Sequence, residues 1–479
     1  MWTSRLFFLI GCWIIILALA QLVPFFVALF LGEWGAASSF FASMSIVLLV
    51  GGSLYLGFRS SERVRMRKLT ILLPIVGGIC LAFTTGLPFF FLFPDLGVVP
   101  AFYEGMSLIT TTGGSAYEGA VEEIRSLQLW RLLAAWLGGF MAICLTLSLL
   151  SALNSGGLQL HRSALPYGDS DKGYPRLRST AQSLFPLYMF MTALCCLMLM
   201  FGGESFGDAA MLAMATISTT GISPDTGHVL AQGWAQFVVL VFSLVAIMNW
   251  DMHYARLKQL KLEGTFGFEV RSLLFMAGAG TLMLFLLSGR FDAGSLWGSL
   301  FASFSALSTT GFQTQYDPGI GGGLPSAIII ILLTCVGGSV ASTSGGLKQL
   351  RAGVVYMLGR SEVDRLAHPH GVRTQKYDGQ PVQAKDIEAV WLLLGGFVFL
   401  FCMGALTLGI LGISFQEAVA LTLSSLTLSA PLAGVIDPYF PGFSGLRDGD
   451  YMLLSFLMLI GRVEASLFLA LFAKSMWRG

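Results

Sequence analysis

Apolar residues run through this chain in long blocks, and the blocks recur in a regular order. A helix needs about 20 consecutive apolar residues to cross the hydrocarbon core of a bilayer. Ten stretches are of that length, at 6–31, 36–57, 69–93, 127–152, 181–203, 232–250, 270–289, 325–347, 388–412 and 451–473. Four shorter segments, near 98–109, 207–217, 296–307 and 415–426, lie between alternate pairs of long blocks. Each is too short to span, and each is expected to be a short helix that enters the membrane and returns.

The four short segments run into nearly the same sequence each time. Thr110-Thr111-Thr112-Gly113-Gly114, Ser218-Thr219-Thr220-Gly221-Ile222-Ser223 and Ser308-Thr309-Thr310-Gly311-Phe312 are close copies, and Thr427-Leu428-Ser429-Ala430-Pro431 is a weaker fourth. Positions 113, 221, 311 and 430 are 108, 90 and 119 residues apart. The period predicts an all-α integral membrane protein of four pseudo-symmetric units, each a helix, a short pore helix, a filter-like strand and a second helix. The expected boundaries are 61–160, 161–262, 263–360 and 361–479, after an N-terminal two-helix extension over 1–60.

A Thr-Gly strand at membrane depth supplies what cation selection requires. Non-helical backbone is tolerated there only where protein or a water-filled cavity satisfies it. Carbonyl oxygens can replace an ion's hydration shell, and hydroxyls add further oxygen ligands. Glycine admits positive φ, so successive carbonyls can turn toward one axis. Each short helix would aim its carbonyl end, carrying roughly half a negative charge, at the ion. The candidate ligands are Thr110, Thr111, Thr112 and Gly113; Ser218, Thr219, Thr220 and Gly221; Ser308, Thr309, Thr310 and Gly311; and Leu428, Ser429 and Ala430. Four such strands would enclose a dehydrated potassium ion, which is then the substrate; no organic cofactor is expected.

Composition narrows the alternatives. Only 11% of the 479 residues are charged and 55% are apolar, against roughly 25% charged in a soluble domain. With 28 Lys and Arg against 27 Asp and Glu, no bulk charge attracts nucleic acid. The seven cysteines lie inside apolar runs and lack metal-knuckle spacing. Arg5 and Ala18-Leu19-Ala20 resemble a signal peptide, but the apolar run continues to Leu31, so an uncleaved first span is expected. With the N-terminus inside and alternating spans, 23 of the 28 basic residues face the cytoplasm, the direction of the positive-inside rule. Both termini are therefore expected inside. Fifteen of the 27 acids, Glu104, Glu118, Glu122 and Asp208 among them, fall outside, where they would concentrate cations.

The chain's remaining candidate chemistry is sparse. Gly337 to Gly346 is almost entirely Gly, Ser, Ala and Thr, with four glycines, and is expected to unwind its helix; close helix packing through small residues is the other reading. Arg462 lies mid-span, where a charge normally faces a cavity or partner. Asp251, His253, Arg256 and Lys258 read as a snorkelling boundary, and His368-Pro369-His370 is assigned no role. A polytopic membrane enzyme would need clustered acids and histidines at depth, and the spans hold little beyond Arg462 and Glu464. A regulatory scaffold would not need four filter-like strands. The inner stretch from Arg360 to Ile387 is too small for an independent fold, so nucleotide sensing would need another polypeptide.

On these motifs the chain resembles the Trk/Ktr/HKT superfamily of potassium transporters, within it the bacterial Trk-type (TrkH/TrkG-like) uptake subunits. Besides the filter loops, the resemblance rests on Trp136-Leu137-Gly138-Gly139, on Gly156-Gly157-Leu158-Gln159-Leu160-His161-Arg162, on Gly337 through Lys348 and on Gly461-Arg462-Val463-Glu464. It implies a potassium-conducting subunit of the bacterial inner (plasma) membrane. It further implies a homodimer with a pore in each protomer and a cytoplasmic TrkA-like nucleotide-binding ring. An intramembrane gate is implied at Gly337, Gly338, Ser342, Thr343, Ser344, Gly345, Gly346 and Lys348, with Arg462 lining the pore below the filter. The fourth loop departs from the family's Asn-x-Gly-Pro-Gly-x-Gly: Leu428, Ala430 and Leu432 stand where Asn and two glycines are expected. Ala430, before a proline, should favour extended geometry. Potassium preference is therefore expected to be weakened, and a sodium-permeable or potassium/sodium-coupled relative is the alternative.

Overall fold

The computed structural model describes residues 2–59, 67–152, 174–224, 229–230, 233–258, 266–316, 323–368, 376–377, 380–381 and 384–463. The Gly156–Arg162 motif, Glu464 and His370 lie outside the described residues.

Among the described residues, seven helices are long and apolar enough to cross a membrane: Thr3–Leu31, Trp34–Phe58, Ile71–Leu92, Arg125–Leu147, Leu177–Phe201, Glu269–Leu287 and Ile387–Ile410. Their outer faces leave large apolar side chains uncovered, such as Phe275, Phe399 and Ile410, as lipid contact requires. Two of the ten expected spans differ from plain helices. The block at 232–250 is a bent pair, Gly233–Ile247 and Trp250–Leu257, turned by 93°. Asn249 makes the corner: its side-chain oxygen accepts from the Asp251 backbone N–H at 2.9 Å and caps the second helix. Asp251 is thereby carried into the protein and fully buried, not left at a snorkelling boundary. The block at 325–347 is helical only over Gly323–Val336 and then unwinds. The last helix is described over Asp448–Val463.

The four short helices occupy the interior, at Val98–Ile109, Phe206–Ser218, Ala293–Ser308 and Phe415–Thr427. Every residue from Pro100 to Ile109 is buried. Glycines let the flanking helices come this close. A Cβ on Gly105 would lie 1.9 Å from the Ala82 carbonyl oxygen, and one on Gly86 would lie 2.1 Å from that of Ala101. The helix after each of the first and fourth short helices is seated in the same way, Gly138 against the Ile109 carbonyl and Gly461 against that of Leu426. Small residues that admit close backbone approach drive helix association where lipid offers no hydrophobic gain. This gives the Trp136–Gly139 and Gly461–Arg462 motifs a packing role.

The N-terminal extension is fastened by charge as well as packing. Glu33 accepts the backbone N–H groups of Arg125, at 2.9 Å, and Ser126, at 3.1 Å, placing a carboxylate at the N-terminus of Arg125–Ala152. Two-residue strands pair Val229–Leu230 in parallel with Gln313–Thr314, and Lys376–Tyr377 antiparallel with Gln380–Pro381. The described fold is otherwise helical.

Candidate filter and gate

Each short helix ends in the same hydrogen-bonded turn. The residue after the helix, or one further, takes a left-handed φ: 61° at Thr111, 55° at Thr219, 59° at Thr309 and 59° at Leu428. The next N–H reaches back five residues, from Thr112 to the Ser107 carbonyl (2.8 Å), Thr220 to Ala215 (3.2 Å), Thr310 to Ser305 (3.2 Å) and Ser429 to Ser424 (2.9 Å). This is a Schellman-type closure. A left-handed non-glycine residue costs about 1–2 kcal/mol, and a branched threonine is the least suited to it. Four such residues at equivalent positions mark a backbone over-determined by its surroundings.

The turn also sets the register. Two residues on, φ is positive again at Gly113 (88°), Gly221 (68°) and Gly311 (69°). The fourth strand places Ala430 there; Ala430 has no left-handed φ, and its carbonyl accepts the Ala433 N–H at 3.0 Å. Thr427 then stands level with Thr110, Ser218 and Ser308. The fourth strand's candidate ligands, Leu428 to Ala430, therefore extend by one residue to Thr427.

The four strands meet in cyclic order. A Cβ on Gly113 would lie 2.3 Å from the Thr220 carbonyl oxygen, and one on Gly221 would lie 1.8 Å from that of Thr310. One on Gly311 would lie 2.4 Å from Pro431 Cβ. The Ala430 N–H closes the ring by donating to the Thr112 carbonyl at 2.9 Å. Strand one thus touches two, two touches three, three touches four, and four returns to one. Pro431 begins a short helix, Leu432–Ile436, that sequence reading did not anticipate.

A cavity of about 880 Å³ opens beside this ring, lined by Gly113, Ala430 and Pro431, by the acids Glu118 and Glu122 and by Arg131. The Phe443 N–H donates to Glu118 at 3.2 Å. Burial pushes the Glu118 carboxyl above its ordinary value, against the smaller downward pull of the Phe443 N–H and of Arg131.

Against the ring's other side lies the unwound segment between Val336 and Gln349. It carries left-handed φ at Gly337, Ala341, Gly346 and Lys348. Gly345 donates to Thr309 Oγ1 at 2.9 Å, and a Cβ on Gly345 would lie 1.9 Å from the Thr427 carbonyl oxygen. The segment is also tied to the bent helix pair, through Ser339 N–H to the Ile247 carbonyl at 2.9 Å and Trp250 N–H to that of Ala341 at 3.3 Å. Ser344 Oγ accepts from the Gly338 N–H, and Ser342 Oγ donates to the Ser339 carbonyl. Two cations hold its oxygens. Lys348 Nζ donates to the Ser344 carbonyl, and Arg462 Nη1 donates to that of Thr343 at 2.7 Å. Arg462 Nε and Nη2 have no protein partner among the described residues. The residues expected to form the filter and those expected to form the gate are therefore brought into one contiguous column.

Comparison with known proteins agrees with this geometry. The chain is similar to the Trk system potassium uptake protein TrkH of Vibrio parahaemolyticus, at 27% identity over 98% of each chain. It is similar to TrkH of Escherichia coli K12 at 26% over 98% of each chain, and to TrkG of the same organism at 26% over 96% of each. The crystal structure of the potassium transporter TrkH from Vibrio parahaemolyticus superimposes with a TM-score of 0.83 and 23% identity, covering 100% of both chains. That likeness establishes the fold. The family model described as TrkH, cation transport protein, matches residues 36–287 and 291–478. With most of its length so matched, the chain belongs to the TrkH family of cation transport proteins.

Proposed function

We propose that this chain is a potassium-conducting uptake subunit whose ion path runs through the four-strand ring. One observation carries the reading: four equivalent helix-end turns, 90 or more residues apart in sequence, contact one another in cyclic order around a single centre. The relatives named as Trk system potassium uptake proteins supply the ion. Carbonyl and hydroxyl oxygens of Thr110–Gly113, Ser218–Gly221, Ser308–Gly311 and Thr427–Ala430 replace the hydration shell. Each short helix adds about half a negative charge from its carbonyl end. Uptake runs down the electrochemical gradient, a membrane potential contributing about 2.3 kcal/mol per charge per 100 mV.

The four units over 61–160, 161–262, 263–360 and 361–479 form one pore, with both termini in the cytoplasm of a bacterial cell and the protein in its inner membrane. The loop from Gly337 to Lys348, with Arg462, is the gate. A homodimer and a TrkA-like cytoplasmic ring complete the assembly, the ring acting on that loop. The deciding experiment is rubidium uptake into proteoliposomes holding the purified chain, with sodium competition. Saturable rubidium uptake supports the reading, and its absence refutes it.

A second reading has its own support. Ala430 lacks the left-handed φ of its three counterparts and engages the Thr112 oxygen through its N–H. Strand four therefore weakens the oxygen ring, which favours a sodium-permeable filter. Equal rubidium and sodium flux would decide for it.

A further inference from the structure

Among the described residues, the first filter strand differs from the others in having a buried ion pair beside it, whose arginine also lines the cavity. Glu104, on the first short helix, is fully buried, and Arg131, on the next long helix, is 10% exposed. Arg131 Nε donates to Glu104 Oε1 at 2.8 Å. The same guanidinium reaches the filter itself, Nη2 donating to the Gly113 carbonyl at 3.3 Å. Glu104 Oε2 accepts from Ser115 Oγ at 2.9 Å and from the Ala116 N–H at 3.0 Å. Ser107 Oγ completes the set with a 2.7 Å bond to the Gly114 carbonyl. The backbone from Gly113 to Ala116 thus hangs on one carboxylate, one guanidinium and one hydroxyl.

Fold stability does not account for the pair. Replacing a buried ion pair by apolar residues of the same volume is often neutral or stabilising. The other three short helices carry Leu212, Ala302 and Leu421 at the position matching Glu104, six residues before Ser218, Ser308 and Thr427. The architecture therefore does not require charge there. What strand one does differently is support strand four: its Thr112 carbonyl accepts from Ala430, the one filter position that lacks a glycine. Meanwhile Gly113 packs on the Thr220 carbonyl of strand two. A shift of Gly113 would move both neighbours.

We propose that Glu104 and Arg131 are a positioning pair for filter strand one, and that through it they set the filter's discrimination between potassium and sodium. The inference rests on the pore reading above. The guanidinium holds the Gly113 oxygen, the carboxylate fixes the guanidinium and the Ser115–Ala116 turn together, and the ring's dimensions at its divergent corner are set by both. Neither side chain needs to touch the ion.

The test is the rubidium-to-sodium permeability ratio in proteoliposomes for the unmodified chain, Arg131→Met, and the neutral double variant Glu104→Gln/Arg131→Met. The double variant leaves no lone charge buried, so it separates loss of positioning from loss of folding. The expected result is a fall in the ratio of about tenfold, the factor commanded by one hydrogen bond to a charged group. A role confined to folding would lower the amount of folded protein and the flux of both ions equally, and an unchanged ratio overturns the proposal. A folded variant that passes neither ion is read by thermal melting in potassium and in sodium; unchanged half-stabilising concentrations overturn the proposal and altered relative ones support it. Arg131→Lys keeps the charge but loses the fork that reaches Glu104 and Gly113 together, so it should also lower the ratio. If even that variant fails to accumulate, the pair is a folding requirement and the proposal falls. Absence of rubidium uptake by the unmodified chain would instead refute the pore reading.

Discussion

Replacing Gly221 by alanine adds one methyl group to the wall of the ring, and its effect can be worked from the coordinates. Gly221 has a φ of 68°, a region where a non-glycine residue costs about 1–2 kcal/mol. The new Cβ would lie 1.8 Å from the Thr310 carbonyl oxygen. That separation is far inside van der Waals contact, so strand three must give way, and inserting a methyl into a packed site costs about 1–3 kcal/mol. The two terms come to roughly 2–5 kcal/mol, which at about 1.4 kcal/mol per tenfold lowers rubidium flux by about 30-fold or more. Gly32→Ala is the matched control. Gly32 has a similar φ of 75°, but nothing lies within 4 Å of its added Cβ. It should lose about 1 kcal/mol of stability with flux unchanged. Rubidium uptake into proteoliposomes, normalised to folded protein, reads both variants. Flux in Gly221→Ala within about twofold of the control would refute the claim that this contact dimensions the path.

Ala430→Gly restores a residue able to turn its carbonyl inward and should raise the rubidium-to-sodium permeability ratio, read from competition flux; an identical ratio would remove strand four from selectivity. Deleting Ser342–Gly345 cuts the bonds from Gly345 to Thr309 and from Arg462 to Thr343, and should raise flux; unaltered flux would dismiss this loop as a gate. Glu118, raised by burial, takes up its proton above the ordinary carboxylate range, so its charge beside the filter is lost early as pH falls. Uptake at low ion concentration should therefore decline on external acidification and Glu118→Gln should flatten that profile. The stability effect has the opposite sign: a carboxyl raised in the folded state stabilises it below the group's unfolded value, and that contribution is lost as pH rises through the folded one.

Much of the architecture is legible in one dimension because its causes are local. Hydrocarbon thickness dictates the length of a span, so the long apolar blocks could be counted directly. The repeated Thr-Thr-Gly sequence showed where the backbone leaves the helix, because left-handed φ and close approach leave glycine few substitutes. Corrections came where a side chain acts on a neighbour's backbone. Asn249 turns an apolar run by 93°, and the hydropathy of residues 232–250 carries no trace of that corner. Glu104 reads as an ordinary outer acid because its partner Arg131 is 27 positions away in sequence.

From the residue order alone came the fourfold period, the repeated turn sequence after each short helix and the unwound segment between Val336 and Gln349. Those features are set by composition over short windows, which hydropathy and backbone preference govern directly. Folding in three dimensions decided the cyclic order of the strands and the closure of the ring by Ala430. It alone joined the unwound segment to Thr309 and Arg462. Such contacts join residues up to 318 positions apart, as Ala430 and Thr112 are. Their geometry is fixed by how glycine-faced helices pack, and no local stretch of sequence encodes it.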